Sequence, residues 1–168
     1  MPRRTVPVAA FLVAVALAVG MSACGSDNFK EKTLTFTEKD TNYFGFNDAP
    51  PSTQLGKDGP QKLSPADTVS FAADMLDSSK KKVGELDGSC VVTRPGSFGS
   101  ASETCSATVS IPNGSLDLQT GGKVFGSDTT AGSITGGTGD YTAAGGTFTS
   151  KSANSGSTDT FKIQIPQK

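Results

Sequence analysis

Few residue types in this chain can do chemistry. Cysteine stands at 24, 90 and 105, and none of the 168 residues is histidine. Without histidine there is no Ser-His-Asp or Cys-His relay and no imidazole base near neutral pH. Histidine-ligated zinc and haem are excluded on the same ground. The 16 acidic side chains do not fall in the spacing of a calcium loop, and the cysteines alone do not make a soft-metal set. The expectation is therefore no metal and no cofactor. Fifteen Lys and Arg against 16 Asp and Glu leave no basic excess, which argues against nucleic acid as a partner. The chemistry that remains rests on thiols and carboxylates, and on whatever elements position them.

Cys24 belongs to an address. Arg3 and Arg4 precede an uncharged run over 6–19, and Met21, Ser22, Ala23 and Cys24 follow it. Such a run is too short to cross a hydrocarbon core of roughly 30 Å, and small residues come after it, so residues 1–23 read as a cleaved signal peptide. The cysteine directly after the small pair resembles the lipobox of bacterial lipoproteins, where cleavage precedes the cysteine and the thiol carries a diacylglycerol. Met21 stands where leucine is usual. The alternative is an ordinary signal whose cleavage leaves a free Cys24. Acylation predicts an extracytoplasmic protein anchored to the cell membrane, since each buried methylene contributes about 0.8 kcal/mol. Arg3-Arg4 lacks the rest of a twin-arginine motif, which favours general export. Cleavage would leave 13 basic and 16 acidic residues, so the lipid, not a basic patch, has to hold the bilayer. Residues 24–32 are then a lipidated tether, and 33–168 the folded domain.

That domain reads as all-β. The chain has 20 Gly, 20 Ser and 20 Thr, residues that favour turns and half-exposed strands over helices. Over 103–111, Cys105, Ala107, Val109 and Ile111 alternate with Thr104, Ser106, Thr108 and Ser110. Val69, Phe71, Ala73 and Met75 do the same within 67–77, and Phe161, Ile163 and Ile165 near the C-terminus. Weaker candidates lie at 33–38, 83–94, 115–120, 131–135 and 146–150, eight strands in all by their period of two. Lys80-Lys81-Lys82 reads as a solvated hairpin tip and Pro112-Asn113-Gly114 as a tight turn. Gly136 to Gly146 has neither the dinucleotide fingerprint nor a Gly-Lys-Ser/Thr ending, so it reads as a turn and bulge. The stretch 40–65 is irregular and rich in Pro, Gly and Asp; its Tyr43, Phe44 and Phe46 either cap a barrel or plug its end. Short strands with one apolar face fit a sandwich or closed barrel.

The other two cysteines fall into this pattern. A symmetric hairpin of 83–94 with 103–111, turning around Gly96-Ser97-Phe98-Gly99, sets residue 90 opposite residue 105. Outside the cytoplasm, facing cysteines oxidise, and closing such a loop stabilises by roughly 3 kcal/mol. Two buried free thiols are the alternative. Glu38 shares a face with Leu34 and Phe36, and Arg94 with Cys90 and Val92. Both sit at strand ends, so they are candidates for the lumen or mouth of a barrel, against simple exposure.

Several segments together resemble a family. They are Ser64-Pro65-Ala66-Asp67 entering Val69-Ser70-Phe71; Lys81-Lys82-Val83-Gly84 before Gly88-Ser89-Cys90; Thr104 to Thr108 with Ile111-Pro112-Asn113-Gly114; and Ile134-Thr135-Gly136-Gly137-Thr138-Gly139-Asp140-Tyr141 with Ala144, Gly145 and Gly146. From about Leu34 to Ile165 the chain resembles the allene oxide cyclase-like and dirigent-like proteins, in particular a secreted bacterial branch. The resemblance implies an antiparallel eight-stranded β-barrel with an apolar interior. It also implies one of two roles: cyclising an unstable fatty-acid epoxide, or holding phenoxy radicals during coupling. It assigns no catalytic residue here.

Three functions follow as expectations. The first is a membrane-anchored lipoprotein whose barrel binds a small hydrophobic or aromatic ligand. The second is a cyclase or isomerase acting by conformational control in the lumen. The third is a structural or interaction protein of the envelope with a fully packed barrel. The outward face, mostly Ser, Thr, Lys and Asp, favours a monomer.

Overall fold

A computed structural model describes residues 28–39, 43–49, 55–56, 59–60, 62–97, 99–124, 128–153 and 156–167. The expected signal segment 1–23 and Cys24 lie outside the described residues. In chain order the strands are β1 (Phe29–Lys39), β2 (Tyr43–Asn47), β3 (Leu55–Gly56), β4 (Gly59–Pro60), β5 (Thr68–Leu76) and β6 (Lys82–Arg94). They continue with β7 (Ser102–Ile111), β8 (Gly114–Lys123), β9 (Thr129–Gly139), β10 (Gly145–Ala153) and β11 (Gly156–Pro166). β5 to β11 pair in sequence as antiparallel hairpins, and β11 then pairs with β1. β1 closes onto β5 through Thr37↔Leu76 and Glu38↔Met75. The result is a closed antiparallel eight-stranded barrel, as the alternation predicted.

Two segments depart from expectation. β1 begins at Phe29, inside the stretch read as tether, and pairs from Phe29↔Pro166 to Lys39↔Gly156. Its first residues are exposed and carry no apolar alternation; main-chain bonding to β11 extends the strand without help from side chains. The irregular stretch 40–65 contains β2, which pairs with Thr68–Ala72 along the edge of β5 that β1 leaves uncovered. Further on, Leu63 bridges to Gly96.

The Ser64-Pro65-Ala66-Asp67 segment is built around a buried carboxylate. Asp67 is fully inaccessible and accepts the main-chain N–H groups of Ser64 at 2.7 Å and Ala49 at 2.9 Å. It thereby ties the approach to β5 to the end of β2. Its role is structural, because charge-assisted acceptance of buried N–H groups fixes a turn that has no ladder of its own. Lys80-Lys81-Lys82 is an exposed hairpin tip, as expected. Asp77 accepts the N–H groups of Ser79 and Lys81 there, and Lys82 pairs with Asp74 and Glu85. The Gly-rich stretch forms the end of β9 with a bulge: Asp117 pairs with Gly136 but Leu118 with Ile134, so Thr135 is the extra residue.

The lumen is filled unevenly. Met75, Val109, Ile111, Leu116, Ile134 and Ile163 pack one half, with Tyr141 and Ala144 across its end. Lys32 covers Tyr141, its Nζ donating to the phenol oxygen at 3.1 Å and standing 5.0 Å from the ring centre. A second cluster of Leu63, Val92, Ala101 and Val124 gathers at the opposite ends of β6, β7 and β8, and Phe46 packs against it. Of the aromatic trio in the 40–65 stretch, Phe46 therefore joins a core; the side chains of Tyr43 and Phe44 lie outside what the structure describes.

Candidate functional site

Against the packed half lies a cavity of about 570 Å³, within the range of small-molecule sites. Alternation puts its walls together. Leu86, Leu118, Phe148 and Phe161 belong both to the packed half and to the cavity lining, so they form its floor. Phe161 stacks with Phe148 at 6.2 Å between ring centres and meets Phe36 at 6.0 Å with the planes tilted. Val69, Phe71 and Ala107 add to the apolar wall, while Gly122, Thr129, Thr130 and Ser152 are exposed at the rim. A wholly packed barrel, the premise of the structural reading, is not what the lumen contains.

Cys90 and Cys105 pair directly across β6 and β7, as the hairpin count predicted, and are joined as a disulfide with Cα atoms 4.0 Å apart. Both cysteines line the cavity. Donor atoms of Cys90, Cys105 and Glu103 lie within 4.8 Å of one another. They are no soft-metal set, because the two sulfurs are bonded to each other and neither is a thiolate.

Three carboxyl groups face the cavity: Glu38 from β1, Glu103 from β7 and Asp159 from β11. Glu38 follows Leu34 and Phe36 inward, as its face predicted. Glu103 keeps the parity of Cys105 and Ala107, and Asp159 that of Phe161 and Ile163. Both could have been found by extending those faces one step outward, where polarity had masked the pattern. Burial pushes the Glu38 carboxyl above its ordinary range, partly offset by the Ser157 hydroxyl and reinforced by the negative charge of Asp159. Burial likewise raises Asp159, against the hydroxyls of Ser150 and Ser157, and raises Glu103. Desolvation disfavours the charged form in each case.

Ser157 connects two of them. Its Oγ lies 2.8 Å from Glu38 Oε2 and 3.0 Å from Asp159 Oδ1. A hydroxyl has one hydrogen to donate. Both contacts are therefore hydrogen bonds only when one of the two carboxyls holds a proton. Asp159 is 3 % exposed, and its Oδ2 is buried without a hydrogen-bond partner among the described residues.

Arg94 does not join this group. The β6–β7 register slips between Val92 and Arg94, so that Val92 pairs with Glu103 but Arg94 with Ser102. Thr93 is the extra residue, and the bulge inverts the alternation that made Arg94 a partner of Val92. Ser102 lies on the opposite face from Glu103, and Arg94, paired with it, is exposed outside the cavity.

No family model and no curated protein matches the chain in sequence. In shape it matches several solved structures. A pyocyanin demethylase aligns with a TM-score of 0.61 at 21 % identity, over 79 % of this chain and 99 % of that one. A pterocarpan synthase dirigent protein aligns at 0.58 and 16 %, over 83 % and 86 %. A Diels Alderase from Streptomyces koyangensis aligns at 0.58 and 15 %, over 80 % and 64 %. At these identities the likeness is one of fold: the chain has the barrel of dirigent-like and cyclase-type proteins.

Proposed function

We propose that this chain is an extracytoplasmic lipoprotein, held on the cell membrane by an acylated Cys24, whose barrel binds a small hydrophobic or aromatic molecule. The observation that carries the binding half is the cavity, floored by Phe148 and Phe161 and open at a rim of small and polar residues. An apolar ligand there gains about 25 cal/mol for each Å² of apolar surface removed from water, and the carboxyl groups orient its polar atoms. Two barrels of this shape, a pyocyanin demethylase and a pterocarpan synthase, are named for a small organic substrate or product and support the reading. The anchoring half rests on the sequence of residues 1–24. The acylated protein is proposed to act as a monomer.

A cyclase or isomerase is the second reading, favoured by the Glu38–Ser157–Asp159 group. A carboxyl that retains a proton beside an apolar wall can act as acid to a bound unsaturated molecule. The binding reading is tested by native mass spectrometry and solvent extraction of the full chain purified from membranes of its own host. A co-purifying small molecule, released by denaturation and competed off by planar aromatic compounds, is expected. A cavity that neither retains nor takes up any such compound ends the proposal.

A further inference from the structure

We infer that the cavity takes a lipophilic cation: a small, largely apolar molecule with a protonated nitrogen that donates a hydrogen bond to Asp159 Oδ2. The inference rests on the ligand-binding reading above and narrows its ligand class. Two independent observations carry it. The first is the balance of charge around the cavity. Glu38, Glu103 and Asp159 face it, and the only cation on its lining among the described residues is Lys123 at the rim. Lys123 is exposed and already donates to Ser100 O at 2.7 Å. The described residues that β5, β6, β9 and β10 turn to the cavity carry no charge.

The second observation is an acceptor with nothing to accept. Asp159 lines this space, and its Oδ2 is buried with no hydrogen-bond partner among the described residues. Buried polar atoms are satisfied in the great majority of cases, so an unsatisfied one on a side chain that lines a ligand-sized cavity marks where a ligand donor belongs. The hydroxyls of Ser150 and Ser157 both bear on this carboxyl group, but Ser157 is engaged by Glu38 Oε2 and Asp159 Oδ1 and neither hydroxyl makes a hydrogen bond to Oδ2. An incoming N–H⁺ therefore satisfies Oδ2 and neutralises the charge that burial disfavours, while the carboxyl proton held by Glu38 or Asp159 is released to the buffer. The rest of the ligand lies on the rings of Phe148 and Phe161, whose faces also attract a cation. An anion would meet three carboxyl groups. A neutral hydrocarbon would leave Oδ2 as it is.

The test uses the full chain purified from membranes and placed in nanodiscs of zwitterionic lipid, with empty nanodiscs subtracting partition into the bilayer. The probes are three tricyclic compounds of nearly the same shape: 9-aminoacridine, protonated at neutral pH; 9-aminoanthracene, neutral; and 9-anthracenecarboxylate, an anion. The cation is expected to bind at least about tenfold tighter than the neutral amine, and the anion most weakly. Asp159→Asn and Glu38→Gln should each reduce the ratio of cation to neutral-amine affinity to less than about threefold. On the unaltered chain, titration calorimetry in buffers of different ionisation enthalpy should show release of up to about one proton per cation bound, and none with the neutral amine. Should both substitutions disturb the fold, the proton measurement on the unaltered chain decides alone. Equal affinity for cation and neutral amine, without proton release, overturns the charge class and leaves the ligand-binding reading standing. Failure of all three compounds to bind removes both.

Discussion

The ring of Phe148 lies over Gly132. The two face each other across β9 and β10, and a Cβ at position 132 would stand 2.5 Å from Cε1 of the ring. Phe71 is seated in the same way on Gly88 across β5 and β6, where a Cβ would fall 2.7 Å from its Cε2. Both rings line the cavity. A bare backbone opposite each ring lets it lie against the neighbouring strand instead of standing in the lumen.

Filling either place should therefore disturb fold and cavity together. Gly132→Ala and Gly88→Ala are each expected to destabilise by about 1–3 kcal/mol through overpacking. Gly122→Ala and Gly145→Ala, where no atom lies within 4 Å of the added methyl, should stay within about 0.5 kcal/mol of the parent. Urea unfolding midpoints compare the two pairs. Equal effects in both would show that the rings do not depend on their glycines.

The disulfide closes a loop with a sequence separation of 15. Replacing Cys90 and Cys105 together with serine should lower stability by about 3 kcal/mol. The cavity wall that the bridge helps to form should also loosen, so ligand retention should fall with it. Denaturant unfolding with and without a reducing agent measures the first effect. A reduced protein as stable as the oxidised one would contradict it.

Stability should fall as pH rises above the ordinary carboxyl range. Glu38, Glu103 and Asp159 hold their protons more tightly folded than unfolded. Below the unfolded values both states are protonated and nothing is lost. As pH climbs through the window up to the raised folded values, the unfolded chain ionises first and the folded state loses its advantage. Asp77, exposed and held below its ordinary value by Ser79 and Lys81, acts with the opposite sign at the acid end. Asp159→Asn removes one of the raised groups. It should flatten the decline and raise the melting temperature at slightly alkaline pH relative to the parent. A variant whose pH profile superimposes on the parent's would exclude Asp159 as a contributor.

Cys24→Ala should move the protein from the membrane fraction to the soluble extracytoplasmic fraction, because the acyl chains are the proposed anchor and net charge supplies no attraction to anionic lipid. Fractionation with immunodetection reads the result. Retention of the variant on membranes would sink the lipoprotein assignment.

Much of this protein was legible in a period of two. Alternation is a property of the extended backbone itself, so the apolar faces of β5, β7 and β11 could be read residue by residue before any pairing was known. The Cys90–Cys105 pair was legible too, because a hairpin's register is set by counting from its turn. Glu38 was legible as an inward side chain for the same reason. Arg94 shows where that reasoning ends: one bulged residue at Thr93 reverses the parity, and nothing in the local composition announces it. β2 is not legible locally, because its pairing depends on the stretch of the β5 edge that β1 leaves free, a fact of closure and not of its own five residues. Within the site, Glu38 and Asp159 each had a readable face, but their meeting at Ser157 required β1 and β11, the two ends of the barrel domain, to pair and close the barrel. The cavity belongs to the tertiary structure entirely. Its volume is the difference between side chains that fill the lumen and rings laid on glycines of neighbouring strands, and local alternation specifies which side a residue faces without specifying how far it reaches.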